Sequence, residues 1–102
     1  MPSNAEGSAI KLTGAMPSKS CVVYMLRCKD NSLYTGWTYD IDRRLREHGR
    51  GVASKYTRAR LPLALVYLET MASKNEAMKR EAAIKKMSKA EKEMLTARYR
   101  AL

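Results

Sequence analysis

Nearly every position from Cys21 to Cys28 is apolar or aromatic, with Arg27 the one break. A segment apolar on both faces reads as the central strand of a sheet. A second run, Leu33–Thr38, is rich in β-branched and aromatic residues and reads as its hairpin partner. The polar stretch Lys29-Asp30-Asn31-Ser32 between them suits a four- or five-residue hairpin loop. Trp37 faces away from Gly36 and is expected to pack beneath a helix. Beyond Pro62 a third run, Leu63–Glu69, alternates. Leu63, Leu65 and Tyr67 share one face, and Ala64, Val66 and Leu68 the other. Both faces are apolar, so each side of this strand needs cover.

Between and after these runs the period changes to that of a helix. Asp40 is a good N-cap, and Ile41 and Leu45 are the apolar points of the helix it opens. That helix should end near Gly49-Arg50-Gly51, where glycine supplies a left-handed turn. Ser73-Lys74-Asn75-Glu76 and Ser88-Lys89-Ala90-Glu91 are capping boxes, each opening a further helix. Ala77, Ile84 and Met87 mark the buried stripe of the first of these. Met94, Leu95, Tyr99 and Leu102 mark that of the second. The pattern predicts an α/β chain of the α+β type: a three-stranded antiparallel sheet with about three helices packed on it. Residues 1–19, rich in Ser, Gly, Ala and Pro and without any period, read as a flexible leader before a single domain over 20–102. Met16 offers an alternative start.

Composition narrows the function. Twenty Lys and Arg face ten Asp and Glu, a formal net charge of +10 in 102 residues. Such an excess calls for a polyanionic partner, and nucleic acid is the commonest. No apolar run is long enough to span a membrane or to act as a secretory signal. The last helix lacks Trp and Phe anchors, which argues against a membrane-surface role. Cys21 and Cys28, seven strand steps of about 3.3 Å apart, stand roughly 23 Å from one another and cannot bridge. They read as reduced thiols, which suits the cytoplasm. One His and two distant Cys cannot build a zinc site.

The candidate chemistry clusters between Val22 and His48. Tyr34 and Gly36 share a strand face, and Gly36 leaves the surface beside Tyr34 open. Tyr24 lies on the partner strand. Arg44 and His48, four residues apart, lie on one face of the first helix. Two phenols, a guanidinium and an imidazole around a gap suit a phosphate ester: Arg binds the anion, and His and Tyr move protons. Taken singly, each has a plainer reading: sheet aromatics, a solvated Arg, or a His at a helix C-terminus. Ser54–Arg60 sets Lys55, Arg58 and Arg60 around Tyr56 without apolar periodicity. It reads as a loop able to offer phosphate and base contacts, or as a solvated loop with Tyr56 tucked onto the core.

Glu81 falls three residues before Ile84 and four after Ala77, on the stripe that should face the core. A buried carboxylate takes a proton, a cationic partner or a metal. Its partner is therefore Arg44 or a Lys at the edge of the stripe, or a hard cation. One carboxylate with waters and a substrate phosphate is the usual arrangement for Mg²⁺. Without a second acid nearby, one metal is expected rather than two. Glu69, at the end of the third strand, reads as a rim residue.

These residues, in this order, resemble the GIY-YIG endonuclease superfamily. Val22-Val23-Tyr24 is similar to its first motif and Tyr34-Thr35-Gly36 to its second. Arg44 and His48 match the Arg and His of its first helix, and Glu81 its catalytic Glu. The likeness covers nearly all of the chain after Ser20. It is nearest to small stand-alone bacterial members, which are akin to the N-terminal part of a repair excinuclease. Their hallmark runs match Ser54–Arg58 and Leu65–Glu69. The resemblance implies a GIY-YIG nuclease fold and metal-assisted hydrolysis of DNA, favoured over RNA as substrate. In that reading Tyr24, Tyr34, Arg44, His48 and Glu81 are catalytic, and Glu81 holds a single Mg²⁺ or Mn²⁺. Lys55, Tyr56, Arg58 and Arg60 contact the nucleic acid. With one small domain and none to read bases, the cleavage would be structure-selective or repair-related rather than sequence-specific. Two positions depart from the family pattern. Val22 stands where the first motif has Gly. No Asn follows Asn75, where many members carry one after the Glu. The second departure points to a basic loop in its place, to low activity, or to dependence on a partner protein. A non-catalytic nucleic-acid-binding module of the same fold is the competing expectation.

Overall fold

Val22–Leu26 are all buried, which requires cover on both sides and a strand on each edge. The computed structural model, which describes residues 21–101, supplies both. Strand β1 (Val22–Arg27) is the middle of a three-stranded sheet of order β2-β1-β3, with β2 at Leu33–Thr38 and β3 at Ala64–Thr70. Both pairings are antiparallel. Tyr24 stands opposite Gly36, and Leu26 opposite Tyr34. The hairpin turn is held by Asp30, whose carboxylate accepts from the backbone and hydroxyl of Ser32. Asn31 takes the left-handed conformation there, at φ 71°.

Helix α1 (Ile41–Gly49) starts at Asp40, whose side chain accepts from the Arg43 amide. It packs Ile41 and Leu45 against Val22, Tyr24 and Leu26 on one sheet face. Helices α3 (Lys74–Lys85) and α4 (Lys89–Ala101) cover the other face. There Cys21, Val23 and Met25 meet Tyr67, Ala77 and Ile84, with Trp37, Leu95 and Tyr99 packed around them. Trp37 thus takes its expected place beneath a helix. Both cysteines are buried, free thiols, one on each side of the sheet. The Ser88 box is complete: Ser88 Oγ accepts from the Glu91 amide, and Glu91 accepts from the Ser88 amide. Ser73 caps α3 by accepting from the Glu76 amide. Arg27, at the end of β1, forks onto the Glu93 carboxylate at 2.5 and 2.6 Å and ties α4 to the sheet.

Four expectations need correction. First, a β-bulge changes β3. Leu65 pairs with Leu26 and Tyr67 with Met25, so Val66 is the extra residue. The alternation slips there. Leu65 joins the α1 side and Tyr67 the α3 side, not one shared face. Second, Ser54–Arg60 is not all loop. Ser54 caps a one-turn helix, α2 (Lys55–Arg58), making four helices among the described residues. Third, Met94 is 62 % exposed, and Thr96 is buried in its place on α4. Fourth, Glu81 is not in the core. The leader, Met16 and Leu102 lie outside the described residues.

Candidate active site

The sheet pairing, α1 and α2 bring three of the singled-out residues into direct contact. Tyr24 rises from the middle strand on the α1 face, and its hydroxyl lies 2.8 Å from His48 Nε2 in the buried interior. The ring of Tyr34 lies 6.5 Å from that of Tyr24 and 5.1 Å from the His48 imidazole, centroid to centroid. Gly36 makes the fit possible. A methyl added there would stand 2.7 Å from the Tyr24 oxygen. The glycine of the second motif is thus demanded by the phenol of the first.

His48 has a second partner that the motifs did not reveal. Its Nδ1 lies 2.9 Å from Thr57 Oγ1, and Thr57 lies 2.9 Å from Ser54 Oγ. Hydrogen bonding assigns a direction to this chain. The Tyr24 hydroxyl donates to Nε2, Nδ1–H donates to Thr57, and Thr57 donates onward to Ser54. The reverse order would leave the Tyr24 proton without an acceptor among the described protein groups. Ser54 also accepts from the Thr57 amide, so the cap of α2 and the orientation of His48 share one residue. A Ser followed three residues later by a Thr was the only trace of this in the sequence.

Electrostatics follow from burial. His48 is 1 % exposed. Burial, then the nearby Arg44 charge, lowers it to about 4, against a smaller opposing pull from Glu47. It is therefore a neutral imidazole at pH 7. Burial likewise pushes the Tyr24 phenol well above its ordinary value. Tyr34, Glu81 and Glu47 add to the rise, and Arg44 opposes it. Arg44 and Glu81 are thus within electrostatic reach of Tyr24. Arg44 lies 3.8 Å from Glu47 across a partly exposed ion pair on α1.

Glu81 sits at the rim of its helix stripe, its side chain 22 % exposed, with Lys85 at 3.5 Å. Its partner is thus a Lys at the edge of the stripe, the plainer of the readings for it. Among the described residues no three His, Cys, Asp or Glu side chains gather into a metal cluster. A single partly exposed carboxylate fits a hard ion held mostly by water and substrate phosphate, the Mg²⁺ or Mn²⁺ pattern. Glu69 is bound to Tyr67 and Arg80 at 2.6 and 2.9 Å, a rim residue as expected.

The basic segment divides. Lys55 and Arg58 are exposed on α2, with Arg58 folded over Gly51. Arg60 is already engaged: it bonds Asp30 at 3.0 Å and the Tyr56 carbonyl at 2.9 Å, and lies 3.7 Å over the Tyr56 ring. Tyr56 is 38 % exposed rather than tucked onto the core. It stacks on Tyr34 with centroids 6.1 Å apart.

Two hollows flank the centre. One, of about 590 Å³, is lined by Trp37, Thr38, Tyr39, Asp40, Arg43 and Arg44. The other, of about 270 Å³, touches Tyr34 and Tyr56. Arg44 joins the first to the centre and Tyr34 joins the second.

Comparison with known proteins identifies the family. Residues 20–94 match the model of the GIY-YIG catalytic domain. The chain belongs to the GIY-YIG family, a nuclease-like family. Within it, the chain is similar to proteins named UPF0213. It is 55 % identical over 71 residues to one from Syntrophus aciditrophicus, covering 69 % of this chain and 82 % of the relative. It is 50 % identical over 70 residues to one from Clostridium perfringens, covering 69 % of this chain and 75 % of the relative. Among solved structures, the UPF0213 protein of Bacillus halodurans aligns with a TM-score of 0.52 at 46 % identity, over 76 % of this chain and 83 % of that one. A protein from E. faecalis aligns with a TM-score of 0.58 at 38 % identity, over 83 % and 91 %. Among the described residues no helix is long and apolar enough to cross a membrane.

Proposed function

We propose that this protein is a metal-dependent endonuclease that hydrolyses DNA phosphodiester bonds, selecting substrate by structure rather than by sequence. The observation that carries the reading is the buried 2.8 Å bond between Tyr24 and a neutral His48, with Arg44 and Glu81 in electrostatic reach.

The geometry favours a relay over a free phenolate. An ordinary phenol with pKa near 10 already costs roughly 4 kcal/mol to ionise at pH 7, and burial raises that cost for Tyr24. If Tyr24 accepts a proton from the attacking water while giving its own to His48, no phenolate builds up. The product is imidazolium, and with His48 at about 4 this costs roughly 4 kcal/mol at pH 7. Substrate reduces that figure. A phosphate on Arg44 offsets one of the two influences that depress His48. Arg44 would therefore both hold the scissile group and tune the acceptor. Glu81 would hold the divalent ion, which supplies positive charge against the leaving oxygen. Lys55 and Arg58, exposed beside Tyr56, would contact the backbone.

One observation favours a second reading, a nucleic-acid-binding module of the same fold. Burial holds Tyr24 far from ionisation, which a binding module tolerates and a phenolate base does not. One assay separates the two: Mg²⁺-dependent cleavage of branched and single-stranded DNA by wild type and Glu81→Gln. The endonuclease reading expects cutting by wild type alone, with equal binding by both. Equal binding with no cutting by either sinks it.

A further inference from the structure

The smaller hollow has walls that the reaction does not use. It is lined by Leu33, Tyr34, Thr35, Tyr56, Lys85 and Lys92, around about 270 Å³ at the outer edge of β2. Tyr34 and Tyr56, 27° from parallel, form an aromatic wall. Arg60 backs Tyr56 and is itself pinned by Asp30, so the wall is fixed before any ligand arrives. Lys85 and Lys92 bring positive charge from α3 and α4. Lys92 makes no ion pair among the described residues, and Lys85 has only the loose 3.5 Å contact with Glu81. Thr35 is 3 % exposed, and its hydroxyl is without a hydrogen-bond partner. An aromatic wall and two cations are what a nucleotide asks for: an aromatic surface for the base and charge for the phosphate. At about 270 Å³ it lies just below the usual range of about 300–1,000 Å³ for small-molecule sites, so one nucleotide unit is the most it takes.

We propose that this depression is a subsite for one unstacked nucleotide next to the linkage held at Tyr24 and His48. The position of that linkage rests on the endonuclease reading. The nucleotide binding itself does not. Tyr34 belongs to both the centre and the depression, so a strand crossing the first places its neighbouring nucleotide in the second. The substrate class follows: DNA with an unpaired nucleotide beside the cut, rather than continuous duplex.

The test uses 2′-deoxyadenosine 5′-monophosphate and 2-deoxyribose 5-phosphate, titrated into the ¹⁵N-labelled full chain. Neither contains an internal phosphodiester, so binding is read independently of cleavage. The expected result is saturable shifts at Leu33, Thr35 and Tyr56, with the nucleotide about fivefold or more tighter than the sugar phosphate. Tyr56→Ala should erase that preference. Lys92→Gln, at a half-buried position outside both core clusters, should weaken both ligands. Equal affinity for the two ligands, shifts confined to the arginines of α1, or unchanged binding by Lys92→Gln would each overturn the subsite. A protein that binds the nucleotide but cuts no DNA would keep the subsite and lose the nuclease. The opposite outcome would lose the subsite alone.

Discussion

Replacing Gly36 with alanine tests the centre through one atom. The new methyl would stand 2.7 Å from the Tyr24 oxygen and 2.8 Å from the carbon bearing it. Carbon contacts are comfortable only from about 3.5 Å, so the ring must retreat by roughly 0.7 Å. Tyr24 has little room to do so. It is packed among Val22, Leu26, Ile41 and Leu45, and its hydroxyl is bonded to His48. Overpacking of this kind costs about 1–3 kcal/mol. Pulling the hydroxyl from Nε2 leaves buried polar groups unpaired, about 1–3 kcal/mol more. The two effects overlap, so a loss of about 2–4 kcal/mol is expected, or roughly 10–25 °C in Tm for a domain of this size. Urea denaturation at neutral pH measures it. The same substitution in a Tyr24→Phe background lacks the nearest atom and should cost about 1 kcal/mol less. DNA cleavage should fall with the stability loss and beyond it, because the relay is broken even in folded molecules. An alanine variant as stable as wild type, or identical costs in both backgrounds, would refute the reasoning.

Three further outcomes are expected. His48 is lowered from 6.5 to about 4, so between those values the unfolded chain binds a proton that the native chain refuses. Its contribution is complete above about 6.5 and is lost as pH falls to about 4, on the order of 3 kcal/mol. Urea titrations across that window should slope for wild type and flatten for His48→Gln. Glu93, lowered to about 2 by its bonds to Arg27 and then Lys89, contributes stability present above about 4.5 and lost as pH falls through about 2. Its carboxylate is a third exposed, so solvent screening holds this near 1 kcal/mol. Glu93→Gln should remove that acid limb, seen by circular dichroism at low pH. Thr57→Val should cost about 1–2 kcal/mol by leaving His48 Nδ1–H unpaired. Ring ¹⁵N shifts would then show both tautomers, and a ring still locked in one would contradict the assigned chain.

Much of this protein was legible in the residues taken in order. The apolar run Cys21–Cys28 required a middle strand, Asp40 and the two Ser boxes required helix starts, and all lie where the pattern put them. Such signals are local, because a cap or a face period is set by residues within one turn or one pleat. Gly36 was read as an opening beside Tyr34. In the folded chain it instead clears the Tyr24 phenol, across the strand pair.

What tertiary structure alone decided is everything that depends on distance across the chain. The bulge at Val66 shifted half of β3 to the other face, since register is set by the partner strand and not by alternation within one. Glu81 looked buried by its period but sits at a rim, because helix stripes record which side faces inward and not where the sheet beneath them ends. The depressed His48, the raised Tyr24 and the Thr57 that fixes the imidazole exist only once burial and three separate elements meet. Desolvation is a property of surroundings, and the order of residues carries no record of it.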